Sequence, residues 1–587
     1  MAEKMPPTKR FRLILIKPSH YDDEGYVIQW FRSAIPANSL ACLYGLALEC
    51  AAEKILGEDV ELEIHAFDET NTVIHIDRMA SLVSMADDGM VMLVGVQSNQ
   101  FPRALDLARP LRDKGIKVAI GFHVSGTMSM LKDRDPYVQK ALDMGVSLFA
   151  GEAEGRLGQV LIDAFNGKLA PVYNFMDDLP NIQGVATPML PAGRVRLTVG
   201  ATTSFDAGRG CPYACSFCTI INVQGRKSRR RSPDDIEKIV RVNVAQGLHS
   251  FFITDDNFAR NKDWEVILDR LIYLREVEKL EIKLNIQVDT LCHQLPNFIE
   301  KSARAGVKRV FIGLENINPD NLIGAKKQQN KITEYRKMLL QWKNAGVVIC
   351  CGYILGFPND TQESILRDIK IIQNELPIDL LEFFCLTPLP GSEDHKKLHD
   401  AGIKMDPDMN KYDVTHVTTA HPLMSREEWE QVNQMAWERF YSPEHAETIL
   451  RRATATGGSP GKAMFYLTWF KGCIGIENVH PLEGGLLRLK FRRDRRSGLP
   501  LENPLIFYPK NIFETLWKQF RWIALYLRLR LVYRKVKLDP MRFEYMDTAL
   551  EPVTDHEEER ELFQSDAAQG YLDKVHRNEK VSRGEFV

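Results

Sequence analysis

Short apolar, β-rich runs separated by helix-length segments limit the folds available to this chain. In the first part of the sequence these runs fall at 11–16, 60–67, 90–96, 118–122 and 146–150. Strands joined through helices pair in parallel, and a parallel sheet is buried on both faces, which produces continuous apolar runs instead of alternation. The pattern predicts a Rossmann-like parallel sheet domain over residues 1–167, with ligands at the carboxyl ends of its strands.

A second β/α series follows a linker at 168–197 that is rich in Pro and Gly. Its predicted strands lie at 250–254, 283–288, 309–314, 347–355 and 380–386. This order predicts a partial or full parallel (β/α) barrel over 198–398, in which the loops at one mouth carry the chemistry. Beyond the barrel we predict a mainly helical, basic and aromatic region at 399–545 and a loosely ordered polar tail at 546–587.

Composition narrows the compartment and the partners. Ten cysteines in 587 residues are sparse and unevenly spaced except for one tight group, which is unlike a secreted disulfide framework. The formal charge of −2 gives no general attraction to nucleic acid. The charged N-terminus has no signal-peptide pattern, and no apolar stretch is long enough to span a bilayer. We therefore expect a cytoplasmic protein that does not bind nucleic acid.

The tight group consists of Cys211, Cys215 and Cys218, preceded by Gly208 and Gly210. Three thiolates this close in sequence can surround one compact soft-metal centre. A structural zinc site uses four ligands, usually as two separated pairs, and no second pair lies nearby. Three cysteines instead leave one iron of a cubane cluster without a protein ligand, so that iron can bind a chelating cofactor. A zinc knuckle, or three unrelated cysteines, is the alternative interpretation.

The segment around these cysteines resembles the signature of the radical S-adenosylmethionine superfamily. The order of domains is similar to the branch with an N-terminal cobalamin-binding domain, the class B methyltransferase-like enzymes. The resemblance implies that Cys211, Cys215 and Cys218 hold a 4Fe-4S cluster, and that S-adenosylmethionine bound to it yields a 5′-deoxyadenosyl radical. The residues that would contact S-adenosylmethionine are Phe217, near the adenine, and the acids Asp255, Asp256 and Glu315.

Each acid also has a simpler interpretation. Asp255 and Asp256 follow a predicted strand and could cap its loop, and Glu315 could be a solvated loop residue. A later segment with Gly356, Asp360 and Thr361 resembles a turn of the same branch, and we interpret it as architectural: the glycine shapes the turn, and Asp360 or Thr361 caps the next helix.

In the N-terminal domain the resemblance implies cobalamin contacts from loops that follow the strands. The candidate residues are Gln97, Ser98, His123, Ser125, Gly126 and Glu152. Neutral imidazole is a common metal ligand, so His123 could bind cobalt or line the corrin pocket without binding it. A domain that has lost the corrinoid is the remaining alternative.

The segment 488–534 places Arg and Lys among Leu, Phe, Trp and Tyr. It could lie in a membrane interface, with Trp522 and Tyr526 at the headgroup level, or form a helix that covers the barrel. The combined pattern predicts a cobalamin-dependent enzyme that methylates an unactivated carbon of a small or hydrophobic, even lipid-like, metabolite, with flavodoxin or ferredoxin as electron donor. Two alternatives are a radical cyclisation, rearrangement or oxidation without methyl transfer, and a non-catalytic iron–sulfur or corrinoid-binding protein.

Overall fold

The computed structural model describes residues 9–131 and 135–582. Its N-terminal part contains the strands β1 (Lys9–Lys17), β2 (Gln29–Ser33), β3 (Val60–Asp68), β4 (Asp88–Val96), β5 (Lys117–Phe122), β6 (Ser147–Ala150) and β7 (Val172–Asn174). The helices between them are α1 (Asn38–Ala52), α2 (Ile76–Ser84), α3 (Phe101–Asp113), α4 (His123–Met130), α5 (Pro136–Asp143) and α6 (Leu157–Phe165). All strands except β2 form one parallel sheet in the order β3-β1-β4-β5-β6-β7.

This sheet has an apolar core on each face, as the continuous runs predict. Ile14 and Val91 point into one core, and Leu13 and Met90 point into the other, all four with no exposed surface. Two predictions were wrong. The segment that follows β5 is not a loop but the helix α4, and the predicted linker contributes β7 as the sixth strand of the sheet.

The barrel region begins with α7 (Ala192–Val195), β8 (Thr202–Phe205), β9 (Gly208–Arg209), α8 (Ile220–Val223), β10 (Arg229–Arg230), α9 (Pro233–Ala245), β11 (Ser250–Ile253) and α10 (Trp264–Glu276). It continues through β12 (Lys283–Val288), α11 (Phe298–Ala305), β13 (Val307–Glu315), α12 (Pro319–Gly324), α13 (Ile332–Asn344), β14 (Val348–Leu355), α14 (Gln362–Glu375) and β15 (Leu380–Cys385). A six-stranded parallel sheet runs in the order β15-β14-β13-β12-β11-β8. The barrel is therefore partial, because β8 and β15 are its two edges.

The C-terminal elements are α15 (Glu393–Asp400), α16 (Arg426–Phe440), α17 (Pro443–Ala455), α18 (Pro460–Gly472), β16 (Gly485–Leu489), α19 (Pro504–Leu538) and α20 (Asp566–Ser582). β16 pairs antiparallel with β2, so the C-terminal region and the N-terminal segment share a two-stranded sheet. No helix among the described residues is long and apolar enough to cross a membrane.

The prediction of a loosely ordered tail was wrong for residues 546–582, and residues 583–587 lie outside the described part of the chain. Leu562 and Phe563 are each 2% exposed and belong to the same core as the barrel. Arg336 of α13 donates hydrogen bonds to the backbone carbonyls of Thr548 and Glu551, at 3.0 and 2.7 Å. A few apolar anchors and one arginine therefore hold a largely polar segment, a pattern that composition alone does not reveal.

Candidate active site

The three cysteines lie on one loop that leaves the barrel after β8. The short strands β9 and β10 pair antiparallel and close the base of this loop. Gly210, with φ of 88°, lies so close to the returning chain that a Cβ would stand 2.5 Å from the carbonyl oxygen of Lys227. Only glycine fits there, and the close approach folds the loop into a compact ring.

The thiols of this loop are free and close enough to influence one another. Cys215 is buried, and Cys211 and Cys218 are partly buried. Burial raises the pKa of Cys211 and raises that of Cys218 to about 12, and the charge of Cys215 adds to both increases. Three mutually repelling thiolates need a positive centre, which iron supplies. In the described part of the chain no group of three His, Cys, Asp or Glu side chains is arranged to hold a single metal ion. A cubane cluster does not need such an arrangement, because each thiolate binds a different iron of the cluster.

Two polar residues beside the thiols were not anticipated from the sequence. Lys327 Nζ lies 2.5 Å from Glu315 Oε1 and 5.7 Å from the ring centroid of Phe217. Burial disfavours its charge, but Glu315 and Cys215 raise the pKa of Lys327 overall. Gln329 Nε2 donates a hydrogen bond to Cys215 Sγ at 3.4 Å. Both follow α12 in a polar stretch without a recognisable spacing, so no sequence signal identified them.

Glu315 lies at the end of β13, in the left-handed backbone region with φ of 63°. Its side chain is 12% exposed and is paired with Lys327, so the interpretation as a solvated loop glutamate was wrong. The pair keeps one cation and one carboxylate at the barrel mouth, beside the cysteine loop.

Asp255 and Asp256 bind the backbone of the cysteine loop. Asp255 Oδ1 accepts hydrogen bonds from the N–H groups of Ala207 (2.6 Å) and Gly208 (2.8 Å). Asp256 Oδ2 accepts one from the N–H of Gly210 at 3.0 Å. Burial raises the pKa of Asp255 to about 7 and that of Asp256 to about 6. The acids thus position the base of the loop, and their contact with S-adenosylmethionine stays a prediction.

Phe217 packs beside the turn that was interpreted as architectural. It contacts a small cluster that includes Ile354 and Phe357, and it stays partly exposed. A Cβ on Gly356 would stand 1.9 Å from Trp429 Cζ2. Asp360 Oδ2 accepts hydrogen bonds from the N–H groups of Gly356 and Phe357, both at 2.9 Å. Thr361 caps α14 in a capping box. The architectural interpretation is confirmed, with Thr361 as the cap.

A buried ion network joins the sheet domain to the base of the cysteine loop. Arg209 reaches Glu152 and Glu154 across the domain boundary, each at 2.6 Å, and Asp206 at 2.9 Å. Arg229 also donates to Glu152 Oε2, at 2.7 Å. Glu152 was predicted to contact cobalamin, but the partners of its carboxylate here are these two arginines. It therefore couples the two domains.

A cavity of about 540 Å³, the interdomain chamber, lies between the sheet domain and the barrel. Gln97, Ser98 and His123 line it from the sheet side, and Thr219 and Ile220, which follow Cys218, line it from the barrel side. The predicted strand-end residues of the first domain and the cysteine loop of the second thus face the same space.

His123 lies at the start of α4 and is 3% exposed. Its Nδ1 lies 3.1 Å from Ser98 Oγ, while Nε2 is buried and has no hydrogen-bond partner among the described residues. Burial lowers the pKa of His123 to about 4, so the imidazole is neutral at physiological pH. A neutral ring with one free nitrogen beside a cavity can accept a hydrogen bond or bind a metal.

Ser125 joins α4 to the loop after β6 within the sheet domain, whereas Gly126 lies at the interface with the barrel. Ser125 Oγ accepts a hydrogen bond from the N–H of Gly151 at 3.0 Å. A Cβ on Gly126 would stand 2.4 Å from the carbonyl oxygen of Pro390, so the backbones of α4 and the barrel meet directly. A narrower cavity of about 180 Å³ lies at the ends of β4, β5 and β6, next to the same loops.

Comparison with known proteins agrees with this geometry. Residues 206–372 match the Radical SAM superfamily. Two relatives come from Chlorobaculum tepidum: the bacteriochlorophyllide d C-12(1)-methyltransferase, 27% identical over 46% of this chain, and the C-8(2)-methyltransferase, 26% identical over 56%. The hopanoid C-2 methylase of Rhodopseudomonas palustris is 28% identical over 32%. The chain spans 59%, 73% and 36% of the lengths of these three relatives.

Among solved structures, the radical S-adenosylmethionine methyltransferase TsrM from Kitasatospora setae, with cobalamin and a 4Fe-4S cluster bound, has a similar fold. The TM-score is 0.50 at 14% identity, over 68% of this chain and 78% of that one. The likeness extends well beyond residues 206–372 and concerns the fold alone. The matched segment contains the three cysteines, the two aspartates and Glu315. The chain therefore carries a domain of the radical SAM superfamily across residues 206–372.

Proposed function

We propose that this protein is a cobalamin-dependent radical SAM methyltransferase that acts on an unactivated carbon of a small or hydrophobic metabolite. The single observation that carries the proposal is the interdomain chamber, which the segment after Cys218 lines from one side and His123 from the other. The methyltransferase names of the relatives from Chlorobaculum tepidum and Rhodopseudomonas palustris support the reaction class.

In this proposal the three cysteines hold a 4Fe-4S cluster. When bound, the cluster and S-adenosylmethionine supply a carbon-centred radical, and methylcobalamin supplies the methyl group. The chain's own residues would position these groups. Asp255 and Asp256 keep the cysteine loop in place through its backbone, and Lys327 offsets the negative charge of the thiolates.

On the sheet side, His123 would offer its free Nε2 to the corrinoid, and Gln97 and Ser98 would line the same face. The narrow cavity beside Gly151 is suited to a slender part of the cofactor, because glycine allows close approach. Glu152 would act through Arg209 and Arg229 by fixing the distance between the two domains.

We further propose peripheral contact with an anionic membrane through α19, which would bring the enzyme to a lipid-like substrate. An apolar stripe runs along this helix, with Leu505, Phe513, Leu516 and Leu531 each more than 60% exposed. The helix carries eight Lys or Arg and one Glu. Anionic lipids would complement this charge, whereas a second copy of the same helix would repel it.

Anaerobic reconstitution tests the central proposal. We expect the purified protein to bind iron and cobalt, to cleave S-adenosylmethionine with a flavodoxin or ferredoxin as donor, and to consume two molecules of it per methylated product. Cys215→Ala should abolish cleavage. Cys50→Ser, at a buried cysteine of the sheet domain, should leave cleavage intact and controls for the loss of a thiol.

The same assay separates the alternatives. Deoxyadenosine without a methylated product would support a cyclisation, rearrangement or oxidation. Absence of cleavage in a protein that holds both cofactors would support the non-catalytic carrier. Zinc bound at the cysteine loop would contradict the proposal altogether.

A further inference from the structure

The partial barrel contains a further cavity, of about 720 Å³, which we name the barrel chamber. Its walls include the first residues of β11 and β12, Ser250 and Lys283, and the helix α18 covers it. The cysteine loop lies beyond the opposite, carboxyl end of the strands. The barrel chamber therefore opens at the end of the barrel away from the cysteine loop, and it adjoins the interdomain chamber at the shared lining residues Ala34, Ile35, Pro36 and Leu482.

The burial pattern of the strands shows that the barrel lumen is open at this end. Leu284 and Ile286 of β12 point outward and are at most 1% exposed, whereas the inward-pointing Asn285 and Gln287 are partly exposed. At about 3.3 Å per residue, the step from Lys283 to Gln287 makes the chamber about 13 Å deep. Its volume is in the range of cavities that hold small organic ligands.

An aromatic pair closes the inner end of the chamber. Phe311 and Phe384 meet above Gly352, where a Cβ would stand 2.9 Å from Phe311 Cζ and 3.3 Å from Phe384 Cε2. Phe311 lines the barrel chamber and Phe384 lines the interdomain chamber. The aromatic pair therefore stands between the barrel chamber and the interdomain chamber.

A buried carboxyl group at the inner end lacks a complete set of partners. Glu382 is 2% exposed, and its Oε1 accepts a hydrogen bond from the Cys350 thiol at 3.2 Å. Its Oε2 is buried without a hydrogen-bond partner in the described part of the chain. Leaving such a group unsatisfied is costly, so a ligand atom that reaches it gains a favourable contact.

The outer end of the chamber carries more basic than acidic side chains, and its one glutamate, Glu281, is paired with Lys283 at 2.5 Å. Lys308, Arg309 and Lys462 line it, and neither lysine has a carboxylate oxygen within 4.0 Å among residues 9–131 and 135–582. Burial lowers the pKa of Lys308, and the positive charges of Arg275 and Lys462 lower it further. The guanidinium of Arg309 lies 5.4 Å from the ring centroid of Tyr466. Unpaired cations beside aromatic walls favour an anion attached to an apolar body.

We propose that the barrel chamber is a second binding site, for an elongated organic anion. The carboxylate or phosphate of this ligand lies at Lys308 and Lys462, its body contacts Tyr466, and its far end donates a hydrogen bond to Glu382. The site does not depend on the proposed methyl transfer, because binding there requires neither the cysteines nor a cofactor.

Two rigid probes test this site by titration calorimetry on the reconstituted full-length protein: biphenyl-4-carboxylate and 4′-aminobiphenyl-4-carboxylate. We expect saturable binding of one molecule of each, with the amino probe binding about fivefold more tightly because it donates to Glu382. The double variant Lys308→Ala/Lys462→Ala should weaken both probes about tenfold or more, because their carboxylate loses both cations. Glu382→Leu should remove the preference for the amino probe.

A matched control removes the same charge elsewhere. The control is the double variant Arg528→Ala/Arg530→Ala on α19, a helix whose exposed apolar stripe could also bind aromatic anions. This variant should leave the saturable binding of both probes unchanged. The proposal is overturned if neither probe binds saturably, if the lysine variant binds both as tightly as the wild type, or if the α19 variant alone loses binding. A preference for the amino probe that survives Glu382→Leu would remove the role assigned to Glu382.

Discussion

At the scale of single residues, Gly126 and Gly391 bring the backbones of two domains into direct contact. The Cβ that alanine would add at Gly126 meets Pro390, and one at Gly391 would stand 2.7 Å from the Gly126 Cα. Neither neighbour is a flexible side chain that could move aside. The interface between the sheet domain and the barrel therefore requires glycine, which has no Cβ, at both positions.

We predict that Gly126→Ala lowers the free energy of unfolding by about 1–3 kcal/mol through overpacking. Gly570 of α20 provides the matched control, because a Cβ added there would have no neighbouring atom within 4 Å among the described residues. Gly570→Ala should be neutral or stabilising by up to about 1 kcal/mol, as helix propensity requires. Urea denaturation of both variants checks the prediction, and equal behaviour of the two would contradict the contact.

At the scale of secondary-structure elements, α19 is attached to the molecule along one face only. Phe507, Leu529 and Val536 are buried, and Trp522 packs over Gly472 and donates to Glu477 Oε1 at 2.9 Å. The expectation that Trp522 lies at a membrane surface was therefore wrong, because its ring faces the protein. The outward-facing indole is that of Trp517, which is 50% exposed.

We predict that vesicles containing phosphatidylglycerol bind the protein, whereas pure phosphatidylcholine vesicles bind it weakly. Leu516→Glu/Phe520→Glu should reduce binding about tenfold or more, since it removes apolar contact area and adds like charge to the lipid. Val266→Glu, at a residue 50% exposed on α10, is the control and should bind normally. Cosedimentation with the vesicles measures the bound fraction of each variant. If the wild type instead forms concentration-dependent dimers that Leu516→Glu/Phe520→Glu dissociates, α19 is a contact between two copies of the chain.

At the scale of the whole molecule, one apolar core joins the barrel to the C-terminal helices, and ionisable groups are buried around it. Burial raises the pKa of Asp255, Asp360 and Glu382 to about 7, well above their values in an unfolded chain. Hydrogen bonds and ion pairs with Asp23 and Asp413 outweigh burial and raise the pKa of His416 to about 10. In each case the folded state holds its proton more tightly than the unfolded state.

These raised pKa values predict that the unfolding free energy falls as pH rises. The stabilisation from each of these carboxyl groups is complete below about pH 4 and is lost as pH rises through 7. The stabilisation from His416 is complete below about pH 6.5 and is lost as pH rises through 10. Denaturant titrations between pH 6.5 and 9 should show a continuous loss of stability. His416→Gln should flatten the decline above pH 8; an unchanged slope would contradict the proposed pairing of His416.

Much of the framework could be predicted from short stretches of sequence. Both parallel sheets, the partial barrel, the cysteine loop and the helix cap at Thr361 depend on apolar runs, glycines and capping residues within a few positions of one another. Such patterns act through backbone geometry and local burial, so they can be recognised in the sequence without knowledge of the tertiary structure.

The tertiary structure alone decided what each side chain contacts. The sequence determined that Glu152 and His123 follow neighbouring strands, but not that Glu152 pairs with arginines of the cysteine loop or that α4 buries the His123 ring with one nitrogen free. The interaction of Lys327 with Cys215 and the walls of the barrel chamber likewise bring together segments far apart in sequence. The physical reason is that desolvation and ion pairing depend on three-dimensional neighbours, whereas strand and helix formation depends mainly on periodicity along the chain.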